Sequence, residues 1–90
     1  MQKFKVKTDT DSKKLAEAIW FNLRDEDFIE LSCLGAGAVN QAVKSFITAK
    51  SVAAPYNVKL NMDPFFSFSE ESEKELTLIK FIITKSEFES

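Results

Sequence analysis

The chain has no histidine and a single cysteine, Cys33, among its 90 residues. Without imidazole there is no His-based acid–base catalysis, no Ser-His or Cys-His nucleophile pair and no zinc site built on histidine. One cysteine cannot form an internal disulfide framework, and an unpaired thiol suits a reducing compartment. No linker, internal repeat or low-complexity tract divides the chain, and no apolar run approaches the roughly 20 residues that a membrane-spanning helix needs. The opening Met1-Gln2-Lys3-Phe4-Lys5 lacks the apolar core of a secretory signal, so the expectation is a cytoplasmic protein without a membrane partner. A large excess of one charge is missing too. The 12 Lys and Arg against 14 Asp and Glu leave a net charge of −2, which excludes a uniformly basic coat of the histone kind.

What is present is apolar substance. Hydrophobic residues make up 44% of the chain and include nine Phe, enough for one core that hides about 60% of the surface of the unfolded chain. Residues 1–90 therefore read as a single domain.

The order of residues gives the elements. Phe4 and Val6 alternate with Lys3, Lys5 and Lys7, the period of two of a strand with one face inward and lysines outward. Thr8-Asp9-Thr10-Asp11-Ser12 is a polar turn in which Asp11 or Ser12 can cap a helix. Leu15, Ile19 and Leu23, with Ala16 and Trp20, give residues 13–24 one apolar helical face. After the charged break Arg24-Asp25-Glu26-Asp27, Ile29, Leu31 and Cys33 alternate with Glu30 and Ser32 in a second strand ending at Leu34. A second helix follows Gly35-Ala36-Gly37 and runs to about Lys50, with Val39, Ala42, Val43, Phe46 and Ile47 on one face and Asn40, Gln41, Lys44, Ser45 and Thr48 on the other. Pro55-Tyr56-Asn57 suits a turn, because Asn tolerates a left-handed conformation. Val58, Leu60 and Met62 mark a third strand and residues 76–85 a fourth, the two forming a hairpin around the Glu-rich loop 69–75. The order β-α-β-α-β-β implies an α+β two-layer sandwich, a four-stranded mixed sheet with two helices on one face.

Three places hold candidate chemistry. In the turn Gly35-Ala36-Gly37-Ala38-Val39-Asn40-Gln41, glycines allow close backbone approach, and the amides and dipole of a helix start favour a phosphate. Asn40 and Lys44 extend that surface. The turn lacks the third glycine of a dinucleotide site and the Gly-Lys-Ser/Thr of a P-loop, so a simple strand-to-helix turn is the competing reading. Lys3, Lys5, Lys7, Lys13 and Lys14 form a basic N-terminal side: residues 1–60 carry nine cations against seven acids (+2), residues 61–90 three against seven (−4). A polar molecule of this kind turns its basic side to phosphates, although lysines on an exposed strand also deter aggregation. Phe65, Phe66 and Phe68 crowd the end of the third strand, Phe66 and Phe68 on one face and Phe65 on the other, as core, subunit interface or stacking platform. Cys33 shares the apolar face of its strand and reads as a buried, inert thiol. The acidic loop lacks the ligand spacing of a calcium loop, and no catalytic residue, metal or cofactor is expected.

The segment Gly35-Ala36-Gly37-Ala38-Val39-Asn40-Gln41-Ala42-Val43-Lys44, followed by Ala53-Ala54-Pro55 and Val58-Lys59-Leu60, resembles the stage V sporulation protein S (SpoVS) family. The likeness extends from about Lys3 to Lys85. That family is similar in fold to the Alba chromatin proteins, dimeric nucleic-acid binders with the same β-α-β-α-β-β order. The resemblance implies a nucleic-acid surface at the start of the first helix, at the glycine turn and at the last hairpin, and it places Lys13, Lys14, Gly35, Gly37, Asn40, Gln41 and Lys44 there. Here the hairpin is rich in Glu where an Alba protein reaches out with basic residues. Arg24-Asp25-Glu26-Asp27 and Lys50-Ser51 likewise stand where such chains are usually more basic.

The expected function is thus a non-enzymatic bacterial regulator, a homodimer or higher homo-oligomer, in sporulation-type developmental gene control. It binds DNA or RNA with weak sequence preference through Lys13, Lys14, Lys44 and the amides around Gly35–Asn40, with help from Lys5. The alternative is a protein-interaction module whose partner is another regulator, a reading that the net charge of −2 and the acidic hairpin favour.

Overall fold

Two βα units begin the chain and a long hairpin ends it: β1 (Gln2–Val6), α1 (Ser12–Leu23), β2 (Phe28–Cys33), α2 (Ala36–Ala53), β3 (Val58–Ser69) and β4 (Leu76–Glu87). The computed structural model describes residues 2–69 and 76–87, and the acidic stretch 70–75 lies outside the described residues. The strand order is β1-β2-β4-β3, with β1 parallel to β2 and β4 antiparallel to both of its neighbours. Both helices cover one face, the two-layer α+β architecture that the periodicities imply.

Strand alternation decides which face is covered. Val6, Ile29, Leu31, Cys33, Leu60, Phe81 and Ile83 point to the helices and are buried, as are Leu15, Ala16, Ile19 and Leu23 of α1. Ile19 and Leu23 are fully inaccessible. The other face of the sheet carries Lys3, Lys5, Glu30, Ser32 and Lys80 by the same alternation.

Helix α2 departs from its expected face. Its buried stripe is Ala38, Ala42, Ser45, Ala49 and Ala53, while Val39, Val43 and Phe46 are half-buried and Ile47 is exposed. Alanines at this spacing let the helix backbone lie close to both the sheet and α1, and the larger side chains flank the contact. Ser45, placed on the polar face by its chemistry, is buried because its hydroxyl donates to the Gln41 carbonyl one turn back, at 2.7 Å. The helix also runs past Lys50 to Ala53, and Pro55 sits in a short 3-10 turn, Ala54–Tyr56. Asn57 then reverses the chain in the left-handed region, φ 62° and ψ 33°.

Strand β3 is longer than its alternation predicts, because it continues through Pro64 to Ser69. As an edge strand it tolerates proline, whose missing N–H falls where no further strand needs it. The last pairing between β2 and β4 is Cys33 with Ile79, whereas β3 and β4 stay paired to Ser69 and Leu76. The hairpin therefore projects as an arm beyond the end of β2, on the side where α2 begins. Phe66 and Phe68 lie on it and are 71% and 68% exposed.

Helix α1 has no cation in its own last turn. Lys85 of β4 supplies one: its Nζ donates to the carbonyls of Leu23 and Arg24, satisfying end groups that the helix leaves without partners. No helix among the described residues is long and apolar enough to cross a membrane.

Gly35 precedes α2 at φ 92° and ψ 160°, with nothing near the position a Cβ would take. Side chains are disfavoured there by the backbone alone. Gly35→Ala is expected to lower unfolding free energy by about 1–3 kcal/mol, read as a lower urea midpoint at unchanged slope; an unchanged midpoint would refute the strain.

Candidate functional site

Parallel pairing of β1 and β2 puts the starts of the helices that follow them at one end of the sheet. The loop leading into α1 is closed on itself: the Lys7 amide donates to Thr10 Oγ1 at 2.7 Å and the Thr10 amide to the Lys7 carbonyl at 3.1 Å. Onto this loop the first turn of α2 is docked. A Cβ on Gly37 would meet Thr8 Oγ1 at 2.6 Å and Thr8 Cγ2 at 2.7 Å, so only glycine permits the approach. Gln41 secures it, its Nε2 donating to the Thr10 carbonyl at 2.7 Å. Lys44 Nζ in turn donates to Gln41 Oε1 at 3.1 Å. Lys44 is held beside the loop that runs straight into Lys13 and Lys14.

The two helix starts differ in their electrostatics. Asp11 caps α1, its Oδ1 accepting from the amides of Lys13 at 2.9 Å and Lys14 at 3.2 Å. The Lys14 amide bond above all, with that of Lys13 and the charges of the same two lysines, holds the Asp11 carboxyl below its ordinary 3.8 against an opposing desolvation. The carboxylate thus offsets two ammonium groups placed at the unfavourable end of the helix dipole. At α2 there is no such group: Gly35 makes no side-chain cap and no acid stands in the first turn. The first amides of α2 are therefore left without a capping carboxylate.

The structure brings together Lys13, Lys14, Gly35, Gly37, Asn40, Gln41 and Lys44 at this end, with Lys13, Lys14, Asn40 and Lys44 exposed. Gln41 is half-buried and serves to join α2 to the loop. Lys5 stands apart. Its neighbour Val6 is buried under the helices, so Lys5 faces the opposite side of the sheet with Lys3 and Lys80. There Glu30 is only 8% exposed and lies 3.6 Å from Lys80. No sequence motif marks Thr8, Thr10 or Lys80. Burial pushes the Cys33 thiol up to about 11, leaving it protonated and unreactive at neutral pH. Among the described residues no group of three or more carboxylate or thiol side chains is placed to hold a metal.

A β-α-β-α-β-β sandwich with both helix starts and a projecting hairpin at one end defines an Alba-like domain. The structure is similar to Alba from Thermoplasma volcanium, with a TM-score of 0.61 over 92% of this chain and 99% of that one, at 13% sequence identity. The family model of stage V sporulation protein S (SpoVS) matches residues 2–86. The chain belongs to the SpoVS family.

The Asp11 cap has a pH signature. A carboxyl whose pKa is lowered on folding stabilises above its unfolded value, and that contribution fades as pH falls through the folded one. Asp11→Ala should be less stable than the parent at neutral pH, and the difference should shrink below about pH 3.8. Asp11→Asn, a neutral cap, should show a smaller loss that also fades as pH falls, because the parent's own cap is then neutral. Thermal melts from pH 2 to 7 check it, and a deficit for Asp11→Ala that is constant over the range would contradict the assignment.

Proposed function

We propose that this protein is a non-enzymatic regulator, of the kind its family name implies, that binds nucleic acid as a homodimer or larger homo-oligomer in sporulation-type developmental control. The observation that carries the reading is the start of α2, a helix end without a cap or an acid, docked by Gly37 and Gln41 beside Lys13, Lys14 and Lys44. Backbone amides and three ammonium groups on one surface suit the phosphates of DNA or RNA. Asn40 and Lys44 are the exposed polar groups of that helix start, too few for a base-reading surface, so the preference for sequence is weak. The lysines of the open sheet face, Lys5 among them, meet a phosphate backbone only if it wraps the edge of β1.

Self-association is supported by the arm. Phe66 and Phe68 are exposed, and apolar rings left open on a small domain mark a contact surface. Covering them with a second copy sets two helix-start surfaces on one particle, which lengthens the phosphate track. A second reading, protein binding, is favoured by the aromatic side chains exposed on the helical layer, Phe21 and Tyr56.

Fluorescence anisotropy with labelled duplex DNA, single-stranded DNA and RNA at two salt concentrations tests the proposal. Affinity is expected to fall steeply with salt, and Lys13→Ala/Lys14→Ala/Lys44→Ala to flatten the log–log slope by roughly 0.9 for each duplex phosphate that the variant no longer neutralises. Sedimentation of the same samples is expected to give a dimer or larger species that Phe66→Ser/Phe68→Ser reduces to monomer. Absent binding at low salt, or an unchanged affinity and slope in the triple variant, contradicts the nucleic-acid site; a monomeric parent contradicts the assembly.

A further inference from the structure

The outer side of the helical layer shares Lys13 and Lys14 with the phosphate surface and is otherwise used by neither that surface nor the arm. In a two-layer sandwich that side faces water and is expected to be polar. Here a groove of about 750 Å³ runs between α1 and α2, lined by Trp20, Phe21, Thr48 and Val52 and bounded by charged side chains. Phe21 is 66% and Val52 44% exposed. Trp20 lines the groove, its ring 5.3 Å from that of Tyr56.

The charges of the groove have a definite layout. Lys13, Glu17, Trp20, Phe21 and Arg24 stand along one side of α1, at helical spacing. Lys13 and Lys14 mark one end of the groove and Arg24 the other, about 16 Å apart at 1.5 Å per residue. Among the described residues Glu17 is the one acid in the lining. An apolar trough with a cation at each end complements a helix of about three turns that is apolar along one stripe and carries carboxylates at both ends. We infer that this groove binds such an acidic amphipathic helix from a partner protein.

A second copy of this chain does not fit that description. Helix α2 contains no Asp or Glu and two lysines, and α1 contains a single Glu, so either helix laid in the groove sets ammonium against ammonium. The Glu-rich stretch 69–75 has carboxylates and no apolar residue. Nucleic acid is equally poorly matched, because phosphates would leave Phe21 and Val52 uncovered.

Trp20 is the only tryptophan, so the groove carries its own reporter. The probe is a synthetic 15-residue peptide, acetylated and amidated, with leucines at helical spacing, Glu at both ends and no Trp; its counterpart has Lys in place of each Glu. The acidic peptide should change Trp20 emission saturably and bind less well as salt rises. Its affinity should drop about tenfold or more with Phe21→Ser, a substitution at an exposed site that leaves the core intact, and should also drop with Val52→Ser. The basic peptide should not bind. No saturable change with the acidic peptide, equal binding of both peptides, or unaltered affinity in Phe21→Ser and Val52→Ser would each overturn the inference. A loss of self-association in Phe21→Ser would assign the groove to a second copy, and an oligonucleotide whose binding is lost in Phe21→Ser would assign it to nucleic acid; either result also overturns it.

Discussion

Everything distinctive about the helix-start end depends on one close approach, that of the first turn of α2 to the loop before α1. At Gly37 the helix comes near enough to the loop that an added methyl group would collide with the Thr8 side chain. Gly35 makes the approach possible from the other side by taking a backbone conformation closed to other residues. Gln41 then fixes the position with a bond to the Thr10 carbonyl, in a half-buried setting where losing the partner would leave a polar group unpaired. Two glycines and one amide therefore decide where Lys44 stands relative to Lys13 and Lys14.

The same close approach separates structural from available charge. Asp11 binds the amides of α1 and offsets its lysines, whereas α2 begins with no cap of its own. Lys85 is committed to the other end of α1, and Lys80 stands beside Glu30. A chain with a net charge of −2 can thus present a local positive surface, because several of its cations are fixed inward or paired while Lys13, Lys14 and Lys44 gather at one end.

Much of this is legible in the residues. Period-two alternation places the strands, and the Leu15, Ile19 and Leu23 spacing gives the buried face of α1. The glycine turn marks the start of α2, and Asn57 marks a left-handed reversal that the backbone adopts. The inward face of α2 is not legible in the same way, because hydrophobicity favours Val, Phe and Ile, whereas close packing on two sides selects Ala and a self-satisfied Ser45. The length of β3 is hidden by Pro64, which stops a central strand but not an edge strand. Gln41 and Lys85 act across 31 and 62 residues of sequence, separations at which no local pattern carries a signal. Lys5 shares the basic composition of the N-terminal side, but strand alternation turns it to the opposite face.

The most direct test of the helix-start surface is a residue-resolved titration of amide chemical shifts with a short oligonucleotide. The largest shifts are expected at the amides of Ala36, Gly37 and Ala38, with smaller ones at Lys13, Lys14, Asn40 and Lys44 and none that saturate on the open face of the sheet around Glu30. Shifts confined to that open face, or none at any oligonucleotide concentration, would contradict a phosphate site at the start of α2.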